Sequence, residues 1–248
     1  MLKNRIIPVL TFNGMSLVKT KKFKNPRTIG NPVQTARVYN SRQVDELVFI
    51  DIFASSQNRK INLSLVSDVI RECFMPVSVG GGIKTIDDIN DLLKIGADKV
   101  IIKSQALLDP NFIKQAIMFY GSQCICIAVD AYFTNDTYKI HNSLGLDIDL
   151  EEFIIQMDSL NVGEFLVTNI ENDGVMQGFD LNLIQRISKM TSIPIVASGG
   201  GGNLNHYSTL FLKTDVNAVA SSSIFHFTQH TPLDIKNELN KFNFPVRA

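Results

Sequence analysis

The chain contains two glycine-rich stretches, Val79-Gly-Gly-Gly-Ile83 and Ala197-Ser-Gly-Gly-Gly201, and each follows directly on a short apolar run. A further apolar run that ends on serine comes after each stretch, at residues 99–104 and 217–222. The glycine-rich stretch and the serine-ended run of the second copy follow those of the first at the same distance in residue number. Self-similarity at a fixed offset indicates an internal repeat. The sequence therefore predicts two halves that are built alike.

Eight short apolar runs, rich in β-branched residues, alternate with segments of helical periodicity such as Ile86–Ile95. The runs are Ile6–Leu10, Leu47–Ile52, Val77–Val79, Lys99–Ile102, Cys124–Val129, Glu164–Ile170, Ile193–Ala197 and Asn217–Ala220. This alternation over 248 residues predicts the α/β class and a (β/α)8 TIM barrel with a half-barrel internal repeat. An open doubly wound sheet usually has fewer strands and often a GxGxxG turn, which is absent here. Because no linker interrupts the chain, we expect a single domain over residues 1–248.

The composition excludes several classes of function. The formal net charge is +0, so we expect neither a nucleic acid nor a membrane surface as a partner. We find no signal peptide and no apolar run near the roughly 20 residues that span a bilayer, and we expect a cytoplasmic protein. Cys73, Cys124 and Cys126 are too few and too irregularly spaced for a disulfide framework or a zinc site. We expect reduced thiols, no metal and no cofactor, with Cys124 and Cys126 on opposite faces of their strand.

The glycine-rich turns predict two phosphate sites. Glycine allows the backbone to approach a phosphate closely, and the N–H groups of the following helix point at it. The first cradle comprises Gly81, Gly82, Lys103 and Ser104, and the second comprises Gly199, Gly200, Gly201, Ser222 and Ser223. The alternative is that the glycines only permit tight turns. The presence of two copies, each followed by a run that ends on serine, weighs against this alternative. Two cradles across one barrel face predict a ligand with a phosphate at each end.

Three aspartates lie at or just after strand ends, on the face where catalytic groups of this fold collect. Asp51 and Asp130 end apolar runs, and Asp173 follows a run in an Asn-Asp-Gly turn. A carboxylate there can act as general acid or base where burial tunes its pKa. The alternative is that each aspartate is an ordinary solvated turn residue. This alternative is strongest for Asp173. Lys19 is a candidate phosphate ligand, with an ordinary surface lysine as its alternative.

Several motifs together resemble the HisF family, the cyclase subunits of imidazole glycerol phosphate synthase. They are RIIPVL from Arg5, DELV from Asp45, VGGGI from Val79, GADKV from Gly96, GSQ from Gly121, Asp173-Gly, ASGG from Ala197 and IFHF from Ile224. The resemblance covers essentially the whole chain in order, from Met1 to Arg247.

The resemblance implies a lyase that acts in histidine biosynthesis within a heterodimeric glutamine amidotransferase complex. Members of the family receive ammonia from a glutaminase, HisH, through the barrel axis. The ammonia reacts with a ribulosyl-formimino aminoimidazole carboxamide ribonucleotide, which carries two phosphates. The products are imidazole glycerol phosphate and an aminoimidazole carboxamide ribotide.

Family roles carry over to matching positions of this chain. The implied entrance gate of the ammonia channel is Arg5, Glu46, Lys99 and Glu164. The implied docking face includes Asp98, and Lys19 is implied to sit in a mobile first loop. The implied phosphate ligands are Gly82, Ser104, Gly200, Ser222 and Ser223, and the implied pocket residues are Asp51, Thr168, Asp173 and Ser198.

The chain departs from the family where chemistry is expected. The family uses two aspartates as an acid–base pair; the second is Asp130, and the first falls on Thr11. A threonine hydroxyl has no useful proton affinity near neutral pH, and losing one such group typically costs about 10²–10⁴ in rate. The usual Asn-Thr pair after strand four is replaced by Lys103-Ser104, and Lys103 either adds charge to the phosphate site or crowds it.

The basic stretch Leu17–Gly30 begins LVKTKKFKNP and resembles HisF-like proteins of surface-polysaccharide gene clusters. Those proteins act with a HisH-like glutaminase and supply ammonia to a sugar amidotransferase, which converts an acetamido group to an acetamidino group. The resemblance implies an ammonia conduit that has lost cyclase activity. The basic stretch would then contact the third protein or a nucleotide-sugar phosphate.

Three alternatives remain open. A genuine cyclase would need another acid in the first loop, and Thr11–Ser16 contains none. The sister isomerase barrel of the preceding histidine step also needs an aspartate at the end of strand one, and it has no use for the charged gate. A non-enzymatic barrel would bind phosphate ligands without affecting a glutaminase.

Overall fold

The computed structural model describes residues 3–247. Its sheet has eleven strands. They are β1 (Arg5–Phe12), β2 (Leu17–Lys21), β3 (Lys24–Gly30), β4 (Leu47–Asp51), β5 (Val77–Gly80), β6 (Lys99–Ile102), β7 (Ile125–Thr134), β8 (Thr137–Ile140), β9 (Glu164–Asn169), β10 (Ile195–Ser198) and β11 (Ala218–Ser221). Strands β1, β4, β5, β6, β7, β9, β10 and β11 pair in parallel, and β11 pairs with β1 to close the barrel.

Helices connect the barrel strands. They are α1 (Pro32–Ser41), α2 (Leu63–Arg71), α3 (Ile86–Lys94), α4 (Ser104–Leu108), α5 (Pro110–Tyr120), α6 (Leu150–Ser159), α7 (Leu181–Ser188), α8 (Leu204–Lys213), α9 (Ser223–Phe227) and α10 (Pro232–Lys241). The predicted (β/α)8 barrel is confirmed, and each of the eight predicted runs overlaps one barrel strand. Helix α3 matches the predicted segment because Thr85 and Asp88 form a capping box at its start.

The two halves correspond closely around the glycine-rich turns. In both halves a short strand is followed by a five-residue helix, α4 in the first half and α9 in the second. Strand β10 begins at Ile195, two residues after the predicted start, because Pro194 has no N–H to donate to a ladder. Strand β7 continues past Asp130 to Thr134 and forms a hairpin with β8, so the prediction that Asp130 ends its strand was wrong.

The basic stretch lies between β1 and α1, where the first loop was implied, and it forms an antiparallel ribbon there. Strands β2 and β3 pair over Leu17–Gly30, which we call the mouth ribbon. Lys22 and Phe23 form its turn with φ of 53° and 59°. Two positive φ values belong to the type I′ turn that suits a two-residue hairpin, and Lys-Phe gives no sequence signal for it. Lys19 therefore lies in a strand.

The core has two layers. The larger lies between sheet and helices, and the smaller fills the barrel axis. The axial cluster consists of Ile7, Val48, Ile101, Cys126, Ala128, Leu166, Val196, Ala218 and Ala220. Cys126 belongs to this cluster and Cys124 packs against the outer layer, which confirms that the two thiols face opposite sides. Within residues 3–247, no helix has the length and apolar character needed to cross a membrane.

Candidate active site

A cavity of about 340 Å³ opens at the carboxyl ends of the barrel strands. The residues predicted to form the two cradles and the catalytic pocket all line it. They are Thr11, Lys19, Asp51, Gly81, Gly82, Lys103, Ser104, Asp130, Thr168, Asp173, Ser198, Gly199, Gly200, Gly201, Ser222 and Ser223. The fold thus brings residues from eight separate connections to one place, because parallel barrel strands all end at the same face. Their individual roles stay predictions.

The second cradle has the character of an anion site. The side-chain oxygens of Ser222 and Ser223 are buried and have no hydrogen-bond partner within residues 3–247. Gly200 adopts φ of 118°, and a Cβ there would collide with the carbonyl oxygen of Gly178. Buried hydroxyls are normally satisfied, so two orphans beside a glycine turn fit a ligand that accepts hydrogen bonds. An oxyanion such as phosphate meets that requirement.

We expect Ser222→Ala to weaken binding of inorganic phosphate about tenfold, because a hydrogen bond to a charged acceptor is lost. Isothermal titration would measure this. Ser208→Ala is the matched control, since Ser208 is also buried but lies on α8 and donates to the carbonyl of Asn205. Equal affinities for the wild type and Ser222→Ala would contradict the assignment of the cradle.

The first cradle differs in one respect. Gly81, with φ of 114°, again marks a close approach, since a Cβ there would collide with the carbonyl of Asp51. The Lys103 ammonium, however, is directed at Asp130, with Nζ 2.6 Å from Oδ2. The cation that the sequence placed in this cradle is therefore engaged by a carboxylate.

Each carboxylate that lines the cavity has a cationic partner. Asp130 pairs with Lys103, and the carboxylate of Asp51 pairs with Arg59, the closest atoms being Oδ2 and Nη1 at 2.7 Å. Asp51 also accepts hydrogen bonds from two backbone N–H groups of the following turn. Arg59 lies in an irregular segment eight residues after Asp51, and no sequence signal pointed to it.

The structure rules out the alternatives that the sequence left open for Asp173 and Lys19. Their side chains pair at 3.0 Å, and both residues are buried. Asp173 is therefore not a solvated turn residue, and Lys19 is not an ordinary surface lysine. A strand residue and a turn residue far apart in sequence form this pair, which local turn chemistry could not predict.

Two histidines near the cavity were not singled out from the sequence. His141 lines the cavity, and burial together with the Lys103 charge lowers its pKa. His226 has a buried Nε2 atom without a partner among residues 3–247. Burial, and to a lesser extent the Lys19 charge, lowers the pKa of His226 to about 4. Both imidazoles are consequently expected to be neutral at pH 7 and to add no positive charge to the site.

A ring of four charges lies at the opposite end of the barrel. Arg5, Lys99 and Glu164 begin strands β1, β6 and β9, and Glu46 immediately precedes β4. Arg5 contacts both glutamates, at 2.7 Å to Glu46 and 2.5 Å to Glu164. Lys99 also contacts both, at 3.4 Å and 3.0 Å. The four side chains form a closed, alternating ring across the end of the barrel at which the strands begin.

Neighbouring groups support this ring. The Asp45 carboxylate accepts the N–H of Ile6 and pairs at 2.8 Å with Lys236 of α10. Both side chains of that pair are buried. Asp98 is exposed at the same end, and its carboxylate accepts the N–H of Val77. Its predicted place in a docking face stays a prediction.

Comparison with known proteins assigns the chain to a family. Residues 5–231 match the family described as "Histidine biosynthesis protein". The chain is 41% identical over 252 residues to "Imidazole glycerol phosphate synthase subunit HisF" of Staphylococcus saprophyticus, an alignment that covers both chains completely. It is 42% identical to the protein of that name from Staphylococcus carnosus, with 100% of this chain and 99% of the relative covered. The chain belongs to the HisF family.

The HisF-type barrel has an altered position where the family resemblance places the first catalytic aspartate. Thr11 lies in β1 with its side chain in the cavity, and its hydroxyl donates to the carbonyl of Val18 at 2.5 Å. The hydroxyl is thus engaged with the mouth ribbon. Together with the Lys103–Asp130 pair, this leaves the Thr11 hydroxyl and one carboxylate oxygen of Asp130 engaged within the protein.

Proposed function

We propose that the chain is a cytoplasmic HisF-type subunit that receives ammonia from a HisH-like glutaminase and supplies it to a separate acceptor enzyme. Ammonia would enter at the charged ring and leave at the cavity. The acceptor we propose is a sugar amidotransferase of surface-polysaccharide synthesis. We propose a diphosphorylated small molecule as the ligand of the cavity.

The charged ring and the axial cluster support the conduit. The ring contains all four residue types that the family resemblance implies for an ammonia gate. Above it, the axial cluster includes the small side chains of Cys126, Ala128, Ala218 and Ala220. Small side chains leave the least material between the ring and the cavity, which suits passage of a molecule as small as ammonia.

One observation carries the loss of cyclase activity. Thr11 donates its hydroxyl to Val18, while the only remaining carboxylate of the expected pair, Asp130, is bound by Lys103. General acid–base catalysis needs groups that reach the reacting atoms and change protonation near the working pH. A threonine hydroxyl does not meet this requirement, and Lys103 occupies one oxygen of the carboxylate that remains.

A genuine imidazole glycerol phosphate synthase cyclase is the second candidate. The observation that favours it is the full-length identity of about 41% to proteins of that name. Asp130 and both glycine cradles also line the cavity, as that activity would need. In this case another group must perform the task of the missing aspartate.

A reconstituted assay separates the two candidates. The chain is mixed with a HisH-like glutaminase, and complex formation, glutamine hydrolysis and imidazole glycerol phosphate production are followed with the ribulosyl-formimino substrate. A complex that hydrolyses glutamine but yields no imidazole product supports the conduit. A normal rate of product formation would establish the cyclase, and failure to bind any glutaminase would contradict both candidates.

A further inference from the structure

The mouth ribbon is attached to the barrel by contacts from several separate elements. Thr11 of β1 donates to the carbonyl of Val18 at 2.5 Å. Lys19 pairs with Asp173, whose carbonyl also accepts the N–H of Lys22 at 2.8 Å. These contacts secure both the base and the turn of the ribbon over the cavity.

The tip of the ribbon has a second set of contacts. The Lys103 ammonium lies 6.0 Å from the centre of the Phe23 ring, within reach of a cation–π interaction. The Phe23 ring also meets His141 edge-on, with ring centres 5.9 Å apart. His141 in turn donates its backbone N–H to the carbonyl of Asp130. Lys103 therefore joins the ribbon tip to the cavity wall while it holds Asp130.

Thr11 and a carboxylate are not interchangeable at this contact. A hydroxyl can donate a hydrogen bond to the Val18 carbonyl, whereas an ionised carboxylate can only accept. A carboxylate at position 11 would face the carbonyl oxygen and repel it. The observed position of the ribbon thus depends on the residue that replaces the expected aspartate.

We propose that Thr11 and Lys103 are positioning residues that hold the mouth ribbon as a fixed roof over the cavity. The two departures from the family pattern then act together, one at the base of the ribbon and one at its tip. This proposal does not depend on whether the chain conducts ammonia, because it concerns the position of the ribbon alone.

The ribbon itself provides the assay. Lys21, Lys22, Lys24 and Arg27 are exposed trypsin sites on it, and cleavage there reports the fraction of molecules in which the ribbon has opened. We expect Thr11→Val to raise the rate of cleavage within the ribbon about fivefold, as loss of one hydrogen bond predicts. Thr11→Ser keeps the donor and should cleave at the wild-type rate, with sites assigned by mass spectrometry.

Lys103→Met tests the tip independently, with Lys114→Met on the exposed face of α5 as its matched control. The chain has no tryptophan, so Phe23→Trp introduces a single tryptophan at the ribbon tip, which can be excited separately from the five tyrosines. On that background we expect Lys103→Met to increase acrylamide quenching, by at most about threefold because Phe23 is already 36% exposed, and Lys114→Met to leave it unchanged. This quenching measurement can still be made if the Thr11→Val variant does not fold.

Circular dichroism melting of each variant separates ribbon opening from global unfolding. Faster ribbon cleavage at an unchanged melting temperature supports the proposal. Equal cleavage of Thr11→Val, Thr11→Ser and wild type would overturn the role of Thr11, and unchanged quenching in Lys103→Met would overturn that of Lys103. Wild-type cleavage as fast as that of a free peptide of residues 17–30 would show that the roof is not fixed.

Discussion

Thr11→Asp alone is expected to leave the chain without cyclase activity, whereas Thr11→Asp combined with Lys103→Asn is expected to gain about 10²–10⁴ in rate. In the single variant Lys103 still binds Asp130, with Nζ 2.6 Å from Oδ2. The new carboxylate also meets the Val18 carbonyl, which now accepts from the Thr11 hydroxyl. Only the double variant combines a carboxylate at position 11 with an Asp130 that Lys103 no longer holds.

The measurement is production of imidazole glycerol phosphate from the ribulosyl-formimino substrate with ammonia added directly. Direct addition removes any dependence on the glutaminase and on passage through the barrel. The control is Thr11→Asn with Lys103→Asn, which matches the double variant in size but supplies no acid at position 11. Full activity of the wild type would contradict the prediction, as would full rescue by Thr11→Asp alone.

The barrel could be predicted from the sequence because the patterns that mark its strands and turns are local and repeated. Eight β-branched runs mark eight buried strands, and the glycine turns at Val79–Ile83 and Ala197–Gly201 fix their places in the repeat. The mouth ribbon could not be predicted in this way. Residues 24–30 are exposed apart from the half-buried Ile29, and they include proline and lysine, so they lack the alternation that marks a strand with one buried face.

The members of the candidate site could also be predicted, because strand ends converge on one face of a barrel. The pairing of their charges could not. The sequence places Asp51, Asp130 and Asp173 near one another as potential acids and bases. The structure gives each a cation from a distant or irregular segment, as with Lys19, 154 residues before Asp173. Such pairs depend on tertiary distances, which no local pattern specifies.

Arg5→Met is expected to lower the free energy of unfolding by about 3–5 kcal/mol, because it removes one cation from a ring of mostly buried charges. The Arg5 side chain is 14% exposed, and those of Glu46 and Glu164 are 10% and 8% exposed. After the substitution Lys99 alone faces both glutamates, which leaves one negative charge without a partner. In a chain of this length the melting temperature should fall by roughly 10 °C.

The same substitution at the surface provides the control. Arg37 also contacts a glutamate, Glu72, at 2.7 Å, but its side chain is 67% exposed. Exposed pairs contribute about 0–1 kcal/mol, so Arg37→Met should change the melting temperature little. Arg5→Met with Glu164→Gln restores a neutral ring around Lys99 and Glu46, and part of the lost stability should return. A fall for Arg5→Met no larger than for Arg37→Met would contradict the prediction, because it would mean that water screens the ring as it screens an exposed pair.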